Sequence, residues 1–306
     1  MTKILIATEK PFSKQAVGEV KKVFKEAGYE LRILEKYSEK GELVNAVSDI
    51  DGLIIRSDII DSEVIGSAQQ LKIIVRAGAG YDNVDLKAAT AHNVTVMNTP
   101  GQNSNAVAEL VFGMFIYLNR NGFNGTSGIE LRGKKLGIHA YGNVGRFVAN
   151  IGKGMGMEVF AYDPFIDNAM MQNDGVTSVA SVEELYETCQ YISLHVPATD
   201  QTRGLINEKL LSLMPEGATL VNTARKEVID ESSLLKIFET RKDFRYLSDI
   251  EPDCKDTIEQ KYQGRFFFTP KKMGAQTEEA NLNAGVAAAK QIVGFIEKGD
   301  QTFKVN

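Results

Sequence analysis

Two glycines and one acid carry the first chemical signal. Gly142 and Gly145 stand in Ala140-Tyr141-Gly142-Asn143-Val144-Gly145, and Asp163 follows about 20 residues on. Without a side chain, the backbone at Gly142 can approach a pyrophosphate closely, and Gly145 lets a helix pack tightly on a strand. The free N–H groups and positive dipole end of a helix beginning near Val144 stabilise phosphate charge. Asp163 can accept from a ribose 2′-hydroxyl and repels a 2′-phosphate; Pro164 follows it, and no Arg stands beside it. The chemistry is dinucleotide binding, with NAD as the cofactor rather than NADP. Ala140 occupies the place where the pattern usually opens with glycine, and a methyl group there requires φ to stay negative.

Such a turn needs a strand before it and a helix after it. Residues 136–139 are an apolar run of strand type, and Val144, Phe147, Val148 and Ile151 share one helical face. A second run, 157–162, ends on Asp163. Earlier in the chain, β-type runs at 3–8, 30–34, 52–55, 72–75 and 94–97 alternate with helical patterns. One of these, 13–27, has Ala16, Val17, Val20, Val23 and Phe24 at helix spacing. A second series runs through 136–139, 159–162, 191–194, 219–222, 246–250 and 266–268. The alternation predicts an α/β protein of two Rossmann-like, doubly wound parallel-sheet domains with a cleft between them. Residues 104–119 are apolar nearly all round, as a helix buried between domains is. Residues 277–298 open on Thr277-Glu278-Glu279, a capped start. The expected division is 1–98 plus 280–306 for substrate, and 99–279 for NAD.

Composition narrows the function. The chain has 306 residues, 43% hydrophobic and 25% charged, with a net charge of −5 and no charge blocks. That balance argues against nucleic acid or a membrane as partner. No signal peptide and no apolar run of membrane-spanning length is present. Cys189 and Cys254 are the only cysteines and have neither metal-ligand nor disulfide spacing. A cytoplasmic protein without a metal is expected.

Ordered motifs extend along the chain: GLIIRSD at 52–58, VRAGAGYDNVDLKAAT at 75–90, VMNTPGQNS at 96–104 and GKKLGI at 133–138. LHVPATDQTRGLIN at 194–207, VNTARKEVIDE at 221–231, SDIEP at 248–252 and GAQTEEA at 274–280 continue the series. The chain resembles the D-2-hydroxyacid dehydrogenase family, in a short form without a regulatory extension. The resemblance implies oxidation of a small phosphorylated substrate, D-3-phosphoglycerate, to 3-phosphohydroxypyruvate at the start of serine synthesis. It also implies a homodimer formed through the nucleotide-binding domain. Another D-2-hydroxyacid of glycerate, lactate or glyoxylate type is the near alternative. A non-catalytic NAD-sensing protein is the distant one.

The same resemblance assigns residues. Arg225 is the cation that holds the carboxylate and polarises the carbonyl, a task suited to bidentate guanidinium. Glu251 is the acid of the proton-transfer dyad, and Asp249 is its runner-up. The family's histidine is missing, because His92, His139 and His195 all lie elsewhere and 269–277 reads TPKKMGAQT. Counting from Thr269-Pro270 gives Lys271, the favoured base; counting back from Gly274 gives Lys272. Arg225 would lower that lysine's pKa and Glu251 would raise it, which leaves the direction open. Cofactor contacts fall on Tyr141, Gly142, Asn143, Val144, Gly145, Asp163, His195, Val196, Pro197, Thr202, Thr223, Ala224 and Asp249. Substrate contacts fall on Arg56, Ser57, Arg76, Ala77, Gly78, Ala79, Gly80 and Asn103. Arg56 and Arg76 bring positive charge to a phosphate end.

Overall fold

Runs such as KILIAT and GLII are apolar at consecutive positions, and only a strand covered on both faces hides all of them. The computed structural model describes residues 1–306 and divides into Met1–Asn103 with Gln276–Asn306, and Ser104–Ala275. Residues 99–103 and 276–279, expected in the second domain, fall in the first unit.

The first unit carries β1 (Lys3–Thr8), α1 (Lys14–Glu26), β2 (Glu30–Glu35), α2 (Lys40–Ala46) and β3 (Gly52–Ile55). It continues with α3 (Ser62–Ser67), β4 (Ile73–Arg76), α4 (Leu86–Ala91) and β5 (Thr95–Asn98). All strands are parallel, in the order β2-β1-β3-β4-β5, so the winding reverses between β1 and β3. Ligands of open α/β sheets bind outside the carboxyl ends at such a reversal. Helix α1 starts because the Ser13 hydroxyl accepts from the Ala16 N–H, and it buries Ala16, Val20 and Phe24 at four-residue spacing. The chain's last helix packs against that face, with Ala284, Ala288 and Ile292 in the same core. The final residues return to the sheet edge. Lys304 bridges Met97 in antiparallel sense, and the Val305 N–H donates to the Val96 carbonyl. The Asn306 side-chain oxygen accepts from the Val96 N–H, and its amide donates to Val94.

The second unit opens with α5 (Ser104–Asn119), followed by β6 (Lys135–His139), α6 (Asn143–Gly154), β7 (Glu158–Tyr162) and α7 (Asn168–Asn173). Then come β8 (Thr177–Ser178), α8 (Val182–Thr188), β9 (Tyr191–Leu194), α9 (Glu208–Leu213) and β10 (Thr219–Asn222). It closes with α10 (Glu231–Thr240), β11 (Arg245–Ser248), α11 (Lys255–Lys261) and β12 (Phe266–Phe268); α12 (Glu278–Lys298) belongs to the first unit. The order β12-β11-β10-β9-β6-β7-β8 is wholly parallel and reverses between β6 and β9. Helix α5 is buried within this unit, where Val111, Phe112, Phe115 and Leu118 share a core with Ile138 and Val148. On α6 the buried face is Gly145, Val148, Ala149 and Gly152; of the expected apolar set Val148 is buried and Val144 and Ile151 pack against the same core. Phe147 lies on the far side of the helix and is 40% exposed. The small residues win because a Cβ at Gly152 would sit 2.8 Å from Leu136, so the helix lies directly on β6.

Candidate active site

The turn after β6 is built by main-chain bonds to one acid. The Tyr141 N–H donates to Asp163 Oδ2 at 2.8 Å, and the Phe165 N–H donates to Oδ1 at 2.9 Å. Gly142 is exposed, and a Cβ there would meet no protein atom within 4 Å. A Cβ at Gly145 would lie 2.5 Å from the Ala140 carbonyl oxygen, so α6 can start against β6 only with glycine. The exposed Asn143 and the half-buried Val144 open α6, whose first N–H groups have no acceptor within the helix. Tyr141 differs from expectation. Its ring is fully buried and its hydroxyl donates to Asp174 at 3.0 Å, so this side chain braces the turn from beneath and offers nothing to a ligand.

Ala140 also departs from the sequence reading: its φ is +79°, not negative. The turn keeps the left-handed shape of a glycine and absorbs the Cβ penalty, about 1–2 kcal/mol. Ala140→Gly is expected to raise unfolding free energy by about 1 kcal/mol, read from urea midpoints at constant m-value.

His139 ends β6 and His195 directly follows β9. His139 lies 4% exposed with Nδ1 3.3 Å from the Tyr186 hydroxyl, and His195 Nε2 is 2.9 Å from Ser193 Oγ. Burial pulls His139 down to about 4 against the opposing Asp163 charge, and burial with His139 pulls His195 to about 3. Both are neutral at pH 7. Because the unfolded chain takes up these protons near pH 6.5 and the folded one does not, stability is complete above that value and falls towards pH 4. Between pH 7 and 5 the loss from His139 alone is about 2 kcal/mol. His139→Gln is expected to flatten that part of a denaturation-versus-pH curve.

Beyond β9, the Thr202 hydroxyl accepts from the Thr199 N–H at 2.7 Å and donates to the Pro197 carbonyl, closing the loop that carries the buried Val196 and the exposed Pro197. Beyond β10, the Asn222 side chain brackets a second turn. Its Oδ1 accepts from the Ala224 N–H and its Nδ2 donates to the Arg225 carbonyl, each at 2.9 Å. Within the turn, Thr223 is 6% exposed and its hydroxyl is buried without a partner. Arg225 Nη1 donates to the Ala224 carbonyl at 3.0 Å.

The two lysines separate here. Lys272 Nζ donates to that same Ala224 oxygen at 3.0 Å, so one carbonyl joins it to Arg225; both lysines are exposed. Glu251 is held at 2.6 Å by Lys255, the first residue of α11, and Lys226 pairs with Asp253. Asp249 is fully buried and its oxygens accept from Thr269, Met273 and Gly274. Sequence reasoning missed Asn222, Lys255 and Thr269. The four-residue spacing of Glu251 and Lys255 was a readable signal; the other two were not readable without coordinates.

In the first unit, Arg56 donates to the Lys10 and Pro11 carbonyls at 3.0 and 3.2 Å and lies 5.2 Å over the Phe12 ring. Burial pulls its pKa below the usual guanidinium value, with Asp58 opposing. Arg76 Nε donates to the Arg56 carbonyl at 3.0 Å, and its guanidinium covers Gly78, where a Cβ would lie 1.5 Å from Nη1. Ala77 is buried against the core. Ser57 and Ala79 are exposed, whereas Gly80 and Asn103 are half-buried.

Residues 114–259 match the D-isomer specific 2-hydroxyacid dehydrogenase, NAD binding domain. The NAD+-bound crystal structure of 3-phosphoglycerate dehydrogenase from Entamoeba histolytica is 46% identical, with a TM-score of 0.91 over 100% of this chain and 98% of that one. The hydroxypyruvate reductase of Thermotoga maritima is 33% identical over 86% of this chain and 90% of its own length. The D-3-phosphoglycerate dehydrogenase of Methanocaldococcus jannaschii is 35% identical over 86% of this chain, which spans 54% of that protein. The chain belongs to the D-isomer specific 2-hydroxyacid dehydrogenase family.

Its second unit contains the NAD-binding domain of that family. The residues present fit the dinucleotide. The space over Gly142 is open, Asp163 is oriented by two N–H donors, and the orphaned Thr223 hydroxyl awaits a polar partner. Ala140 opens the turn, Lys226-Glu227 follow Arg225, and 269–277 reads TPKKMGAQT without a histidine.

Proposed function

We propose that the chain catalyses NAD-dependent oxidation of D-3-phosphoglycerate, with Lys272 as the acid/base. The observation that carries this reading is the Ala224 carbonyl oxygen, which accepts from both Arg225 Nη1 and Lys272 Nζ. Bound NAD supplies the hydride acceptor. Arg225 engages the substrate carboxylate and stabilises charge on the reacting oxygen. Lys272, as the neutral amine, takes the hydroxyl proton; as ammonium it returns it in the reductive direction. Glu251 pairs with Lys255 at 2.6 Å, which engages its carboxylate. For the first unit, the Ala79 and Gly80 N–H groups hold carboxylate oxygen, and Arg76, stacked on Gly78, meets the phosphate. Asp163 selects NAD by its carboxylate charge. A homodimer and a cytoplasmic setting accompany this reading; no helix is long and apolar enough to cross a membrane.

A second reading is reduction of unphosphorylated hydroxypyruvate. Arg56 favours it, because its guanidinium is engaged by the Lys10 and Pro11 carbonyls and the Phe12 ring, leaving less charge for a phosphate. NADH formation from 3-phosphoglycerate and from D-glycerate separates the two. The phosphorylated acid is expected to have the higher kcat/KM by at least about tenfold. Arg76→Ala is expected to remove most of that advantage by raising KM, since a charge-assisted contact contributes about 1.5–3 kcal/mol. Equal turnover of both acids by the wild type would favour the second reading.

A further inference from the structure

We propose that Asp58 is a positioning residue that sets Arg76, the phosphate contact, through the backbone of Arg56. Asp58 is 2% exposed, and its carboxylate spans the reversal of the first sheet. Its Oδ1 accepts at 2.7 Å from the N–H of Glu9, the first residue beyond β1. Its Oδ2 accepts at 3.1 Å from the N–H of Arg56, the first residue beyond β3. The buried Tyr37, just beyond β2, donates its hydroxyl to Oδ1 at 2.7 Å. Three strand ends therefore converge on one acid. From there the hold passes to Arg76. The main-chain ladder between β3 and β4 ends where the Ala77 N–H donates to the Ile55 carbonyl. One residue further the Arg76 side chain continues it, with Nε donating to the Arg56 carbonyl at 3.0 Å. Asn83 Nδ2 donates to that same carbonyl at 3.3 Å and to the Asp58 carbonyl at 2.6 Å. Arg56 is thus fixed at its N–H by Asp58, and its carbonyl is what holds Arg76.

Burial of a carboxylate is costly unless hydrogen bonds satisfy it, and two N–H groups and a phenol do so here. Burial, then the bond to Asp58, push the Tyr37 phenol above its ordinary value, so it stays protonated and donates. Asp58 also reaches the Arg56 side chain. Through Glu9 it holds the loop whose Lys10 and Pro11 carbonyls accept from that guanidinium. A negative charge beside two arginines can act in two ways, and the signs differ. As a bare charge it opposes phosphate binding, so neutralising it would tighten the substrate. As an anchor for the Arg56 backbone it supports phosphate binding, so neutralising it loosens the substrate. Both carboxylate oxygens are engaged by the protein, which favours the anchor.

This inference rests on Arg76 meeting the phosphate, and the test separates the two. Asp58→Asn, Tyr37→Phe, Arg76→Ala and the double variant Asp58→Asn with Arg76→Ala are compared with wild type in the full chain. KM and kcat are measured for 3-phosphoglycerate and for D-glycerate. Asp58→Asn turns an amide towards one of the N–H donors and is expected to raise KM for 3-phosphoglycerate about tenfold, with kcat within about threefold. Tyr37→Phe removes one of three donors without changing the charge and is expected to raise that KM about threefold. On the Arg76→Ala background the Asp58 substitution should add no more than about twofold, because its effect passes through that guanidinium. For D-glycerate, which has no phosphate, Asp58→Asn should leave KM within about twofold. A fall in KM for 3-phosphoglycerate would make Asp58 a bare charge and overturn the proposal. The full loss recurring in the double variant would make it a general support of the loop, which overturns it equally. Tyr37→Phe decides the matter if Asp58→Asn does not fold, and an unchanged KM in it would overturn positioning. Equal turnover of both acids by the wild type would remove the phosphate reading and this inference together.

Discussion

Lys272→Ala is expected to lower kcat for 3-phosphoglycerate oxidation by about 10³, within the usual range for a positioned acid or base. Lys271→Ala should stay within about threefold of wild type. The contrast follows from one contact: both lysines are exposed, but Lys272 Nζ shares the Ala224 carbonyl with Arg225 Nη1. The pH dependence gives a second check with a fixed sign. Alcohol oxidation needs the neutral amine, so wild-type kcat should climb about tenfold per pH unit while the amine is mostly protonated, provided chemistry limits turnover. Ketone reduction needs the ammonium and should decline over the same range. The residual activity of Lys272→Ala should lose this slope. Lys271→Ala and Lys272→Ala behaving alike, in rate and in slope, would refute the assignment.

Arg225→Lys is expected to reduce kcat/KM by about 10²–10³ although the charge is retained, the loss typical of one donor aimed at a developing oxyanion. Guanidinium offers paired N–H groups in a fixed fork, which matches a carboxylate and an adjacent carbonyl oxygen; ammonium is a point charge on a flexible stem. The backbone at Arg225 is independently fixed, since Asn222 holds the carbonyls and N–H groups of its turn. The loss is therefore one of side-chain geometry, and the circular dichroism and NADH affinity of the variant should match wild type. A variant that kept more than about a tenth of wild-type kcat/KM would show that charge alone suffices.

The strands were legible because a doubly covered parallel sheet demands unbroken apolar runs; β1, β3, β9, β10 and β12 begin and end where the sequence predicts. The two-residue β8 was not, since Thr177-Ser178 carries no such run. On α6, Val144, Val148 and Ile151 lie on the core side as read, and Phe147 does not, for a physical reason. Hydrophobic periodicity weighs Phe147 heavily and glycine not at all, yet close contact with β6 selects Gly145 and Gly152. Ala140 was placed correctly in the turn but given the wrong sign of φ, because its strain is overcome by flanking bonds, such as Ala140 N–H to Tyr162, that no local rule registers. The choice between Lys271 and Lys272 depended on an insertion. Counting from Thr269-Pro270 favours Lys271, whereas the contacts that favour Lys272 are long-range bonds to Asp249 and Ala224, spanning 24 and 48 residues, which no local pattern registers.

The chain's last residues have a consequence for assembly. A parallel sheet leaves its outermost strands with unpaired N–H and C=O groups, open to β-augmentation by a second chain. At β5 this ribbon is already occupied. Lys304 and Val305 supply an antiparallel backbone partner, and the Asn306 amide imitates one more peptide unit by accepting from Val96 and donating to Val94. While the tail stays seated, two copies cannot fuse their first sheets into one continuous sheet across β5.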